Sequence, residues 1–568
     1  MYKRKNKLLK RIIMFVLFIV LMFFLLLFLK AYMPSFKKIN YRESVYLAKD
    51  EIGINMQTDY ISMKNPPIYE NNEIYLPVDF IKQYIDKYIH WDEDENTLTI
   101  TNENNVITMQ TDEIEYFVNN TPLELDLPAY NIDGVAYVPK LFLEDFYGLK
   151  FKYIEDTKML SIAKSDYKKA TLGKNVKLRK EASKKSPYIE KLKEGDNVYF
   201  NNESQEEYTK VEADSGYVGF VPTKILKNIE EVNINNNYKE DYIKKSPWKV
   251  EEGKINLVFD QVQRVEANNT ESRRKYIDGI DVLVPTWFSF KDESGKIANI
   301  ADKSYVDFAH NNGYKVWGLL TDNFDRKISH SILSSTKTRH YVIKQLLAFV
   351  SIYDLDGINI DFESVPQEDG ENFIQFLREL APALKKEGVV LSVDLFVPKP
   401  WTNHYNRKEV GKIVDYVIVM GYDEHYAGSK EAGSVASMFW SELAIKDTLA
   451  EGVPKDKLIL GIPFYTRVWT ETLENGEIKL GSKAYGMNGS YKFIEEKNGT
   501  FTFDEKTGQV YGEAKEDKKT YKVWLEDEES VKKRLDFVLQ YDIAGIGAWK
   551  KGLEKEEIWD ILKEKLKE

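Results

Sequence analysis

From residue 251 to the end, short apolar runs alternate with amphipathic stretches. The runs fall at 254–259, 282–287, 315–320, 357–362, 390–396, 416–420, 458–463 and 544–549. Most intervals between them carry the 3.6-residue period of a helix, as at 304–311 and 371–386. Strands that alternate with helices are joined as parallel βα units. Eight of them in about 300 residues predict an α/β domain, a (β/α)8 or TIM barrel over 251–568. The last interval is far longer than the others. Residues 466–525 are rich in Gly, Asn, Lys and Tyr, which predicts a β-rich insertion beside one barrel end. The fourth run departs from the others in polarity. With period 2, Ile358, Ile360 and Phe362 face one way, and Asn359, Asp361 and Glu363 face the other. Unpaired carboxylates are costly in a core, so a polar inner row marks a strand that leads into a site at the barrel mouth.

Upstream the pattern is different. Residues 41–165 contain an internal repeat: Ile74-Tyr75-Leu76-Pro77-Val78-Asp79-Phe80 recurs 62 residues later as Ala136-Tyr137-Val138-Pro139-Lys140-Leu141-Phe142. The same spacing relates Trp91 to Tyr153, Leu98 to Leu160 and Ile100 to Ile162. Each copy reads as a strand, a short helix started by proline, and a hairpin turning at 92–96 or 155–158, a repeated α+β module. Residues 168–230 hold short strands with glycine turns and predict a small β-barrel. Residues 231–250, rich in Asn, Glu and Lys, read as a linker.

The first thirty residues have no periodicity. Lys3, Arg4, Lys5, Lys7, Lys10 and Arg11 precede an unbroken apolar run over 12–29. At about 1.5 Å per residue this run nearly matches the ~30 Å hydrocarbon core of a bilayer. The Lys30-Ala31-Tyr32-Met33-Pro34 that follows lacks a small-x-small cleavage site. An uncleaved transmembrane signal anchor is predicted, with residues 1–11 a basic cytoplasmic tail. The protein is expected at the cell membrane, single-pass, with its bulk extracytoplasmic.

Composition narrows the chemistry. A net charge of −11, with no long basic stripe after the N-terminus, argues against nucleic acid as a partner. The absence of cysteine removes disulfides, thiol nucleophiles and thiolate metal sites together. There is no phosphate-binding glycine loop after a strand and no serine or cysteine nucleophile motif. Asp354-Leu355-Asp356-Gly357 lacks the further ligands of a calcium loop. No cofactor or metal is expected.

Asp356-Gly357-Ile358-Asn359-Ile360-Asp361-Phe362-Glu363 resembles the DxxDxDxE signature of glycoside hydrolase family 18. Pro285-Thr286-Trp287-Phe288, Met420-Gly421-Tyr422-Asp423, Gly461-Ile462-Pro463-Phe464-Tyr465 and Trp549 are similar to further landmarks of that family, in the order one barrel requires. The upstream repeat resembles the copper amine oxidase N-terminal-like domain, though no histidine cluster accompanies it. Residues 168–230 resemble a bacterial SH3-like module, with wall contact its expected role.

Glu363, at the strand's end before Ser364-Val365-Pro366, stands where a barrel enzyme places its acid, and would protonate the leaving glycosidic oxygen. Asp361 lies too near Glu363 to be its partner across a sugar ring, as two flanking carboxylates would need to be. The resemblance implies a substrate-assisted route instead. The 2-acetamido oxygen attacks C1, Asp361 holds the acetamido N–H and Tyr422 its carbonyl. Asn359, Met420, Asp423 and Tyr465 would contact substrate, as would the aromatic rings of Trp287 and Trp549. Asn359 stands where the widest form of the signature has Asp. It looks like the branch containing spore cortex-lytic N-acetylglucosaminidases, and loss of that charge should ease ionisation of Asp361. The expected substrate is an N-acetylglucosamine-containing glycan, with peptidoglycan favoured over chitin. A non-catalytic, glycan-binding wall scaffold is the competing class. Asp356 has the wrong parity for the inner row and reads as structural, and His404 and His425 as loop polar residues.

Overall fold

The computed structural model describes residues 2–201, 207–234, 244–474 and 476–567. They group into two compact units. One holds most of the first 238 residues; the other holds the remainder of the chain together with 90–109 and 116–123.

In the first unit a helix runs over Tyr2–Tyr32. Its segment Lys7–Phe28 has a mean hydropathy of 3.0 and is exposed throughout, so it is long and apolar enough to cross a membrane. The repeat then appears as geometry. Strands Glu73–Pro77 and Val135–Pro139 pair antiparallel, Leu76 opposite Val138. Each ends at a proline whose extended backbone starts a helix, Val78–Phe80 in one copy and Lys140–Tyr147 in the other. The second copy's hairpin, Lys150–Ile154 with Met159–Ala163, stays in this unit. Seven strands between Tyr167 and Val232 form one antiparallel sheet around Leu178, Val198, Val211 and Val221.

In the second unit eight parallel strands close on themselves. They are β1 (Ile255–Asp260), β2 (Val282–Pro285), β3 (Lys315–Thr321), β4 (Gly357–Asp361), β5 (Val390–Phe396), β6 (Tyr416–Met420), β7 (Leu458–Pro463) and β8 (Gly545–Trp549). Each pairs with its sequence neighbours, and β8 closes on β1. Helices cover the outside, several started by side-chain caps. Asp325 accepts from Lys327 N and Ile328 N, and Ser335 from Thr338 N. The outward faces of the strands and the inward faces of the helices make one large core, which contains Ile358, Ile360 and Phe362. Phe362 stacks on Phe376 at 5.8 Å between centroids.

The barrel interior is a separate core that includes Leu257, Phe259, Val284, Trp317, Leu319 and Ile418. Its lower end is plugged by aromatic rings, Trp317 stacking on Tyr416 at 5.5 Å. Trp317 explains Gly357: a Cβ there would lie 2.3 Å from the indole Cδ1. Asp356 anchors the start of β4, accepting hydrogen bonds from Lys315 Nζ (2.7 Å) and Val316 N (2.9 Å) and bonding to His310 (2.7 Å).

Several details differ from the pattern-based reading. The second apolar run ends as a barrel strand at Pro285, and Phe288–Phe290 leaves it to pair with Ile297–Asn299 and with β3. The insertion is not purely β. Its five antiparallel strands between Tyr465 and Trp524 pack against a helix, Met487–Glu496, whose Ile494 fills their core. Of the linker, 235–243 lie outside the described residues, but 244–250 belong to the barrel. Buried Lys244 pairs with buried Asp415 at 2.6 Å, and Trp248 sets its edge against Trp317. The first repeat's hairpin also sits with the barrel. Asp92 and Glu95 accept the backbone N–H groups of Thr336 and Lys337 (both 2.8 Å), and Arg378 Nε donates to Thr101 Oγ1 (2.9 Å).

Candidate active site

The polar row of β4 points inward, as its period requires. Asn359 and Asp361 are buried, and Glu363, just past the strand, is partly open to solvent. Parallel pairing sets Asn359 level with Ser392 of β5 and Ile360 level with Val393. Asn359 Nδ2 donates to Ser392 Oγ (3.0 Å) and to Asp394 Oδ1 (2.9 Å).

The turn that follows Glu363 is fixed from β3. Buried Asp322, one residue beyond β3, accepts Ser364 N (2.7 Å) and Ser329 Oγ (2.8 Å) on one oxygen and Phe324 N (3.0 Å) on the other. From the far side, Tyr405 OH donates to Phe362 O (2.9 Å). The backbone on either side of Glu363 is thus held in place.

These carboxyls face one another with no lysine or arginine ion-paired to Asp361, Glu363 or Asp394 among the described residues. Burial pushes Glu363 up to about 8, and the charges of Asp361, Asp322 and Asp423 add to the effect. Burial likewise lifts Asp361, to about 7, with Asp322 adding. Asp394 is raised well above the ordinary carboxylate range by burial and by Asp361, against a lowering by the Asn359 hydrogen bond. Even with a neutral Asn359 beside it, Asp361 stays raised, by burial first and then by Asp322. One inner charge is gone from β4, but β5 supplies another carboxyl.

The other expected site residues divide. Tyr422, after β6, sets its ring against Tyr465 at 6.3 Å. Its hydroxyl is held neutral by burial and by the fields of Asp394, Glu363 and Asp361. Asp423 adopts a left-handed backbone (φ 54°) and accepts a hydrogen bond from Tyr465 OH. Met420 shares the inward face with Tyr416 and Ile418, and ends β6 level with Gly461 of β7. Trp549 ends β8 half-buried over the barrel interior, 5.6 Å from the Phe259 ring. Trp287 is not brought to the site. It is 1% exposed, packs on Tyr305 at 5.3 Å and donates Nε1–H to Asn268 (2.7 Å), because it falls on the outward side once β2 has ended. His404 and His425 bond backbone carbonyls of Val365 and Ser434.

The insertion and the segment that follows it steady the loop that carries Tyr422 and Asp423. Trp469 Nε1 donates to Gly433 O (2.8 Å), and buried Glu526 pairs with Arg534, which in turn donates to Ala436 O (2.5 Å). Among the described residues no group of three or more His, Cys, Asp or Glu is arranged to hold a metal ion.

Asp322 and Asp394 were missed by sequence reasoning. Asp394 did leave a signal: β5 reads Val-Leu-Ser-Val-Asp-Leu-Phe, with Ser392 and Asp394 alternating against apolar neighbours. Asp322 left none, because one acidic residue after an apolar strand is indistinguishable from a loop residue.

Residues 309–554 match the family model of the glycosyl hydrolases family 18, and 55–162 that of the copper amine oxidase N-terminal domain. The Bacillus subtilis (strain 168) protein "Uncharacterized glycosylase YvbX" is 27% identical over 310 residues, 51% of this chain and 86% of its own length. The cortical fragment-lytic enzyme of the same organism is 24% identical over 250 residues, 42% of this chain. The chain spans 56% of that relative's length. Among solved structures, the Bacillus cereus spore cortex-lytic enzyme SleL shares the fold at a TM-score of 0.50 and 20% identity, covering 59% of this chain and 77% of SleL. Residues 309–554, which make up most of the barrel and its insertion, thus carry a glycoside hydrolase family 18 domain.

Proposed function

We propose that this protein is a membrane-anchored, outward-facing glycosidase that cleaves peptidoglycan after N-acetylglucosamine by a substrate-assisted, retaining mechanism. The observation that carries the mechanism is the spacing of Asp361 and Glu363, two residues apart on one inward strand face, with Tyr422 facing them from β6. Carboxyls so placed serve one side of a sugar ring. They cannot act as acid and nucleophile on opposite sides.

The steps follow from the charges. Glu363, kept protonated at neutral pH, donates its proton to the glycosidic oxygen as the bond to C1 breaks. The acetamido carbonyl oxygen of the same sugar closes on C1 and forms a cyclic oxazolinium ion. Asp361 accepts the acetamido N–H and stabilises its positive charge, and Tyr422 OH donates to the acetamido oxygen until it attacks. Glu363, now ionised, takes a proton from water as that water opens the ring from the leaving-group side, so the anomeric configuration is retained. Met420 and Trp549 offer apolar surface to the sugar, Asn359 orders the site beneath it, and Asp423 with Tyr465 binds at the rim.

Peptidoglycan is favoured by the apolar N-terminal helix, which supports anchorage beside the cell's own wall, and by the likeness to a cortical fragment-lytic enzyme. The seven-stranded sheet is read as an SH3-like wall-contact module. The test is digestion of purified peptidoglycan and of chitin oligomers by the full chain in detergent, with mass spectrometry of the products and Glu363→Gln as control. N-acetylglucosamine reducing ends from peptidoglycan, absent in the control, are expected. Muramic acid reducing ends, or turnover of chitin alone, would overturn the substrate. Release of nothing from either glycan would leave the wall-scaffold reading.

A further inference from the structure

The inner face of β4 and β5 carries an exchange of roles. Asn359 uses both N–H groups of its amide, toward Ser392 and Asp394, so position 394 must present an acceptor to it. A carboxylate at 359 would meet the Asp394 carboxylate acceptor to acceptor, unless a proton lay between them. One register step beyond Ile360 and Val393, Asp361 and Asp394 stand level on adjacent strands with the same inward parity. Asp361 Oδ1 is buried and has no hydrogen-bond partner among the described residues. The groups facing the pair are acidic or neutral: Glu363 from β4, Asp322 from the end of β3, and Tyr422 from the end of β6. Buried carboxyls that share one inward layer, and whose charges reach one another as that of Asp361 reaches Asp394, cannot all ionise, so the cluster holds a proton besides the one Glu363 donates.

We propose that Asp394 is the displaced inner carboxyl of this site, a positioning residue that shares one proton with Asp361 and, gripped by Asn359, sets the ionisation and orientation of Asp361. The proton lies between an Asp394 oxygen and Asp361 Oδ1. When the acetamido nitrogen becomes positive, the proton moves fully to Asp394, leaving Asp361 the carboxylate, and the pair's charge stays at minus one throughout. The inference rests on the glycosidase reading above. It adds that Asn359 and Asp394 work as a matched pair, so exchanging the two residues should preserve function while changing either alone should not.

The experiment compares the full chain in detergent with Asp394→Asn, Asn359→Asp and the double exchange Asn359→Asp/Asp394→Asn. In Asp394→Asn, kcat is expected to fall about tenfold or more with KM within about threefold, and the acidic limb of the kcat profile to move to higher pH, since Asp361 loses its shared proton. Asn359→Asp adds a third inner carboxyl and should move that limb the same way. The double exchange is expected to recover kcat to within about threefold of wild type, together with the wild-type profile. Melting temperature against pH, read on the same proteins, needs no substrate: its slope between pH 5 and 8 should flatten in Asp394→Asn and return in the double exchange. A double exchange no better than Asp394→Asn in either readout overturns the proposal, as does an Asp394→Asn profile that superimposes on wild type. If the wild type cleaves no glycan, the glycosidase reading falls, and the melting series still decides whether the carboxyl pair exists.

Discussion

Glu363 should cost the folded barrel stability at the pH where it works, and Glu363→Gln exposes that cost. Burial first, then the charges of Asp361, Asp322 and Asp423, move this carboxyl from its ordinary 4.5 up to about 8. A folded-state value above the unfolded one means that the folded protein binds the extra proton between those limits. The stability this group contributes is therefore complete below about pH 4 and declines as pH rises toward 8. At 1.36 kcal/mol per pH unit, the decline by pH 7 has a ceiling of about 3 kcal/mol. The carboxyl is partly open to solvent, so about 1–2 kcal/mol is a fairer figure. Glutamine keeps the shape and cannot ionise. Thermal melts of the full chain in detergent, followed by circular dichroism, should place the barrel transition of Glu363→Gln about 2–5 °C above wild type at pH 8. At pH 5 the gap should close. Turnover should fall by about 10²–10⁴ over the same pH range, because no general acid remains. A variant no more stable than wild type at pH 8, or a gap that does not widen with pH, would refute the claim that this carboxyl is held neutral against its environment.

Three further predictions use the same geometry. In wild type, kcat/KM should decline as pH rises through the Glu363 value near 8, since only the protonated acid can donate; a pH–rate profile on a fixed glycan checks this, and activity undiminished at pH 9.5 would contradict it. Asp322→Ala removes the acceptor of Ser364 N and of Ser329 Oγ; kcat should drop about 10–100-fold with a smaller change in KM, and the alkaline limb should move to lower pH because a negative neighbour of Glu363 is gone. Gly357→Ala drives a Cβ to 2.3 Å from the Trp317 ring, and should cost about 1–3 kcal/mol in denaturant unfolding, whereas Gly388→Ala, a left-handed glycine (φ 72°) with open space around its Cβ position, should cost only about 1 kcal/mol.

How much of this was legible in the sequence depended on whether a residue's role was periodic. The eight strands showed as apolar runs because a closed parallel sheet buries both faces. The polar row of β4 showed because it broke that rule at every second position, and Asp361 and Glu363 stand where its parity puts them. Trp287 was misassigned because β2 was extended two residues too far. Past Pro285 the parity no longer carries, and a ring expected at the mouth lies among the helices. Lys244 and Trp248 were read as linker because charge and aromaticity in a polar stretch carry no period. Their role appears only when Asp415 and Trp317 are brought beneath them. The helix of the insertion, Met487–Glu496, was missed for a related reason: glycine and asparagine around it suggested turns, and its packing face is set by the insertion's strands on either side of it in the sequence.

The same distinction bears on how the site can change in evolution and design. A strand signature read alone presents Asn359 as the loss of a charge. The barrel counts its inner charges across strands, because β4 and β5 lie side by side and their inward residues meet level by level. Asn359 with Asp394 conserves what the site needs at that level: one donor, one acceptor and one carboxyl beside Asp361. Function at such a site is a property of the layer and not of the motif. A substitution that looks damaging in one strand can be neutral when its neighbour carries the complement. It follows that an aspartate at 359 in this chain, although it would restore the widest signature, should harm the enzyme unless Asp394 gives up its own charge.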